Sequence, residues 1–147
     1  ETPEPSLRRQ MAPLAGAERE RILIHITDSP STAGLIRRGR RVADYLRADC
    51  FAVSVVPGSV LTSLPAEQRE ALDRHLDFAR RLHIDTRVAE ALAGFAHTNG
   101  ITQIFLAKPV RPTFRLFASR QHLVMKVIRA ARDIQVTVVA DRQAAQR

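Results

Sequence analysis

The sequence has no tryptophan, a single tyrosine and a single cysteine, and no apolar run near the length of a membrane span. With Cys50 alone, an internal disulfide is excluded, and a reducing, cytoplasmic setting fits. Aromatic residues make up only 5% of the chain, too few to interleave rings with bases. The formal net charge of +8, carried nearly all by arginine, is therefore not read as a nucleic-acid-binding signature. A bilayer helix needs roughly 20 predominantly apolar residues, so no membrane contact is expected of this segment, although a longer parent could be anchored in the inner membrane. Glu1 to Ser6 is acidic and proline-containing, unlike a secretory leader. The five histidines, His25, His75, His83, His97 and His122, fall on separate predicted elements without metal-ligand spacing. Neither a metal site nor a catalytic set is expected, and the domain is not read as an enzyme.

What is present suits one soluble α/β domain. A chain of 147 residues with 45% apolar and 26% charged content can bury a real core without staples. Residues 1–19 read as a tail or a seam with a preceding module, 20–141 as the domain, and 142–147 as a polar tail. Ile22 to Ile26 is a short apolar run closed by Thr27-Asp28-Ser29-Pro30-Ser31, the pattern of a buried strand ending in a turn. Ser31 or Thr32 can cap the helix that follows. Its apolar stripe is Leu35, Ile36, Gly39, Val42, Ala43 and Leu46. Arg37, Arg38, Arg40 and Arg41 lie largely opposite, and Asp44 sits one turn after Arg40, so the quartet reads as a solvated face.

Phe51 to Val56 predicts a second strand, and Pro57-Gly58 closes it. Pro65 and Glu67 open a helix whose stripe is Leu72, His75, Leu76, Ala79 and Leu82. Ile84 to Val88 is a weak strand pattern, with Thr86-Arg87 running almost directly into the next helix. That helix passes through Leu92, Phe95 and Ala96 to an Asn99-Gly100 stop. Ile101 to Ala107 predicts a strand, a helix extends to about Ala131, and Ile134 to Val139 predicts the last strand. Strands alternating with helices imply a parallel sheet covered on both faces, with ligands beyond the strand carboxyl ends where the order reverses. If the first and fourth strands are neighbours, Thr27 to Thr32 and Lys108 to Thr113 meet there. Cys50, beside the second strand, reads as a half-buried core thiol.

From about Arg21 to Ala140 the chain resembles the universal stress protein family. More narrowly, it resembles the stress-protein module of KdpD-type potassium-responsive sensor histidine kinases. The phrases RILIHITDSPSTAGLIRRGRRVADYLRADCFAVSVV, LTSLPAEQREALDRHLDFARRL, VAEALAGFAHTNGITQIFLAKP and RDIQVTVVA carry the resemblance. It implies a Rossmann-like sandwich with five parallel strands in the order 3-2-1-4-5. It also implies frequent dimerisation, often through the last strand, here Ile134 to Val139, whose polar interruptions are Gln135 and Thr137; an edge covered by the amino-terminal tail is the alternative. Other stress proteins and the remaining domains of a parent kinase are the further partners it suggests.

Nucleotide-binding members of the family hold phosphates on a glycine-rich loop after the fourth strand. Here Ala107 and Val110 occupy the first two glycine positions, and the later glycine falls near Arg120 or Gln121. A Cβ where positive φ is needed costs on the order of 1 kcal/mol, and Pro109 and Pro112 remove amide donors. Lys108, Arg111, Arg115 and Arg120 could attract phosphate by charge. Asp28 matches the family's acidic residue near adenosine, and is equally a turn-forming aspartate. A cyclic di-AMP motif known in some KdpD modules aligns with Thr27-Asp28-Ser29 and Cys50-Phe51-Ala52-Val53-Ser54, where Ser29 and Ala52 agree outright and Thr27 is conservative. The candidate ligand residues are thus Thr27, Asp28, Ser29, Ser31, Lys108, Arg111 and Arg120, for ATP or cyclic di-AMP. The expected function is a regulatory domain with an eroded phosphate loop, acting through domain or partner contact. The alternative is an adenine-nucleotide sensor.

Overall fold

The apolar run after Arg21 forms the middle strand of a parallel sheet. The computed structural model describes residues 19–56, 58, 61, 64–107, 129 and 133–140. In chain order it places β1 (Arg21–Ile26), α1 (Thr32–Leu46), β2 (Asp49–Val55), α2 (Ala66–Arg81), β3 (Asp85–Ala89), α3 (Leu92–Thr98), β4 (Gln103–Ala107) and β5 (Gln135–Val139). The sheet order is β3-β2-β1-β4-β5, and every pairing is parallel. The expected fold class and strand order are those observed. The helix expected to reach Ala131 lies outside the described residues apart from Arg129, as do residues 1–18 and 141–147.

Each face of the sheet has its own core, which is why β1 and β2 are apolar without alternation. On one side Ile22, Ile24, Ile26, Cys50, Ala52 and Phe105 pack with Leu35, Ile36 and Ala43 of α1 and Leu72, Leu76 and Ala79 of α2. On the other, Leu23, Phe51, Val53, Ile104 and Leu106 pack with Leu92 and Ala96 of α3. Gly39 brings α1 against β1, because a Cβ there would lie 2.4 Å from Ile24 Cδ1.

Polar contacts cluster at the amino edge of the sheet. Arg21 donates from Nε to the Asn99 carbonyl at 2.7 Å and from Nη1 to Asp49 at 3.0 Å. Its guanidinium also stands 5.0 Å from the Phe51 ring centroid, and its backbone N–H donates to Thr102 Oγ1 at 2.9 Å. One side chain thereby ties β1, β2 and the end of α3 together, and the opposite, carboxyl edge is left for a site.

Two expectations need correction. The chain does not pass almost directly from Thr86-Arg87 into the next helix: the third strand continues to Ala89, Asp85 to Ala89 pairing with Phe51 to Val55 at all five positions, and the helix begins at Leu92. Period-2 patterning is weak there because β3 is an edge strand, exposed or half-exposed at every position but Ala89. The second correction concerns Ser31. It occupies the N-cap of α1, but its side chain makes no capping hydrogen bond; its Oγ instead lies 2.8 Å from Ser29 Oγ.

Candidate functional site

β1 pairs with β2 on one flank and β4 on the other, so the loop leaving β1 sits where the strand order reverses. That loop is a ring of short hydroxyl contacts. Thr27 Oγ1 and Thr32 Oγ1 lie 2.9 Å apart, and the Ser29 and Ser31 hydroxyls 2.8 Å apart. The Ser29 N–H donates to Thr27 Oγ1 at 3.3 Å, and the Thr32 N–H to the Ser29 carbonyl at 3.0 Å. Thr32 is fully buried, whereas Asp28 is exposed. Much of the loop's hydrogen-bonding capacity is thus used within it, which fixes its shape and leaves fewer groups for a ligand.

His75 of α2 lies beside this loop, near enough for the Ser29 backbone to favour its charged form. Burial lowers the His75 pKa below its ordinary value of 6.5; the nearby Arg74 charge acts in the same direction, while the Ser29 backbone and Asp28 oppose it. With the folded value depressed, the unfolded chain takes up the proton first. The stability contribution is therefore present above the ordinary histidine pKa and lost as pH falls from there through the lowered folded value. Lowering the pH from about 7.5 to about 5.5 is expected to reduce the melting temperature, and His75→Gln to shrink that drop. An equal drop in both proteins would show that His75 does not carry the effect.

Ser54, near the carboxyl end of β2, pairs with Ile26 and Val88 and is fully buried. Its Oγ has no hydrogen-bond partner among the described residues. A buried hydroxyl without a partner costs stability. Ser54→Ala is expected to raise stability by about 1 kcal/mol, seen as a melting rise of roughly 3 °C. A fall instead would mean that the hydroxyl is satisfied.

A recess of about 330 Å³ lies beside the same loop. Its described lining includes Ser31, Arg37, Arg38 and Arg41 together with Ala107 and Val139 at the ends of β4 and β5. Of the residues chosen from sequence, Thr27, Asp28, Ser29 and Ser31 come together in the β1 loop, and of these Ser31 lines the recess. Lys108, Arg111 and Arg120 lie outside the described residues, as does Val110. The sequence reading missed Arg37, Arg38 and Arg41 as site residues, because one helix face of charge looks solvated until the strand ends beside it are known. Arg40 does behave as read, pairing with Asp44 at 2.7 Å.

Cys50 is buried in β2, more fully than the half-buried thiol expected. Burial pushes its pKa up to about 11, with Arg40 opposing and Asp44 adding to the rise. So high a value leaves little thiolate at neutral pH, which accords with a structural role.

No family model matches the chain. Among curated proteins, a putative sensor protein KdpD from Synechocystis sp. is 26% identical over 129 residues. The match covers 85% of this chain and 35% of that protein, so the chain spans about a third of the relative's length. Among solved structures, a universal stress protein in complex with cAMP superposes with a TM-score of 0.59 at 18% identity, covering 82% of this chain and 95% of that one. The universal stress protein from Archaeoglobus fulgidus in complex with dAMP gives 0.55 at 13%, covering 81% and 96%. The fold is that of the universal stress proteins, and the sequence is related to KdpD.

Proposed function

We propose that this universal-stress-protein-like domain, with its KdpD-like sequence, is a cytoplasmic regulatory domain of a KdpD-type two-component sensor histidine kinase in potassium or osmotic signalling. The observation that carries this reading is a complete sheet joined to Ala107 where nucleotide-binding relatives place a glycine, beside a β1 loop whose hydroxyls largely bond one another. The domain acts by contact, with other domains of the kinase, with other stress proteins, or with a second copy along the β5 side of the sheet, rather than by chemistry. Incubation with ATP and magnesium is expected to release no phosphate above a buffer blank. The reading frame encoding the chain is expected to continue into a kinase core. Removing 20–141 from that kinase is expected to change its potassium-dependent autophosphorylation; an unchanged response would sink the reading.

A second reading, an adenine-nucleotide sensor for ATP or cyclic di-AMP at the β1/β4 switch point, is favoured by the fold neighbours described with cAMP and dAMP. Thermal denaturation with ATP, ADP, AMP and cyclic di-AMP, each alone, separates the two. Binding to the folded state must raise the melting temperature, so a clear rise selects the sensor. No rise with millimolar-range ligand selects contact.

A further inference from the structure

We propose that the outward face of α1 is a docking surface for an acidic segment of a partner protein, with Arg38, Arg41 and Tyr45 as its contact stripe and Arg37 on its flank. Gly34, Arg38, Arg41 and Tyr45 follow one another at spacings of four, three and four, which puts them along one line of the helix. The buried residues of α1, Thr32, Leu35, Ile36, Gly39 and Ala43, lie on the other side. Tyr45 is the chain's one tyrosine and is 87% exposed.

Solvated helix faces usually intersperse both signs of charge. Here the only acidic residue between Ser31 and Tyr45 is Asp44, and it is held by Arg40. Arg38 and Arg41 have no ion-pair partner among the described residues, while Arg37 sits 5.8 Å from the Phe78 ring centroid. Among the described residues Arg38 and Arg41 thus carry uncompensated positive charge about 5 Å apart along the helix, within a line from Gly34 to Tyr45 about 16 Å long at a rise of about 1.5 Å per residue. The contact stripe from Arg38 through Arg41 to Tyr45, about 10 Å along the helix, exceeds one phosphate group and suits a peptide segment.

Arginine and tyrosine are the residue types that most often carry interface energy. Arginine pairs with carboxylates through two parallel hydrogen bonds, and tyrosine adds rigid area at little entropy cost. At its amino end the strip runs into the recess beside Ser31, and a Cβ on Gly34 would meet nothing within 4 Å, leaving room for an approaching backbone. One ring cannot stack a run of bases, so the surface favours carboxylates over nucleic acid.

The proposal rests on the contact reading given above, but its test needs only the chain itself. The probe is a fluorescently labelled, glutamate-rich peptide followed by anisotropy at low and moderate salt. Arg38→Glu with Arg41→Glu is expected to weaken binding about tenfold or more, and Tyr45→Ala about fivefold. Arg74→Glu with Arg81→Glu, an equal charge change on the exposed side of α2, is expected to weaken it by less than about twofold. Circular dichroism checks that each variant remains folded. Equal losses in both double variants, or no binding by the parent chain, would overturn the proposed face. Tighter binding to phosphatidylglycerol vesicles or to a single-stranded oligonucleotide, lost in Arg38→Glu with Arg41→Glu, would also overturn it in favour of a lipid or nucleic-acid surface. None of these results touches the kinase autophosphorylation outcome, so the two readings can fail separately.

Discussion

Replacing Gly39 by valine is expected to destabilise the domain by about 3 kcal/mol, a fall of roughly 10 °C in melting temperature. Helix propensity alone favours the change, since glycine inside a helix is about 1 kcal/mol worse than alanine. Packing opposes it and wins. A Cβ at this position would stand 2.4 Å from Ile24 Cδ1 and 2.5 Å from Cγ1, and Ile24 is wholly buried in the middle strand. The first branch atom of Ile24 cannot swing aside as a flexible chain end could, so either α1 lifts or β1 shifts. Because α1 carries Ser31 at one end and the arginine strip along its outer face, the substitution also moves both candidate binding features relative to the sheet. Gly39→Ala, which adds the Cβ alone, is expected to fall between the parent and valine in urea unfolding. A valine variant as stable as the parent would show that the close approach of helix and strand is not there.

Ile24→Ala is expected to cost about 3 to 4 kcal/mol, from lost burial and the cavity left behind. The two substitutions touch the same space, so their effects should not add. Truncating Ile24 removes the atoms that clash with position 39, and valine fills part of the void. The double variant Ile24→Ala with Gly39→Val is expected to be at least about 2 kcal/mol more stable than the sum of the single effects predicts. Strict additivity in a urea-denaturation cycle would mean that the residues do not meet. Such coupling tests the placement of α1 more directly than either single change, because a general loosening of the core would not produce it.

The helix ends show what local sequence can and cannot say. All three described helices close the same way, with the N–H of Ala48, Ile84 and Ile101 reaching back five residues to the carbonyls of Ala43, Ala79 and Ala96. The left-handed residue that permits this is Arg47, His83 and Gly100 respectively. Only Gly100 was legible as a stop, because glycine advertises positive φ and arginine or histidine does not. The other two are held there by the strand that follows each helix, whose register with its neighbour decides where the chain must turn.

Hydrophobic periodicity by itself determined the strand–helix alternation, the parallel sheet and the inward stripe on α1 that includes Gly39. These properties depend on spacings of two to four residues, which a chain carries locally. The strand order that puts the β1 loop at a switch point was implied by the family resemblance and is shown by the pairing of β1 with β4. That Ala107 stands where the resemblance to the universal stress proteins implies a glycine was equally plain, because residue type is read directly. Only the tertiary structure decided that the hydroxyls of Thr27, Ser29, Ser31 and Thr32 bond one another, that His75 arrives from α2 beside that loop, and that Ser54 is buried with no partner among the described residues. The same holds for Arg37, Arg38 and Arg41, which read as a solvated face until the ends of β4 and β5 came to lie beside them. Each of these facts depends on which distant segments meet and in what register, and that is settled by packing both sides of the sheet at once rather than by any short stretch of the chain.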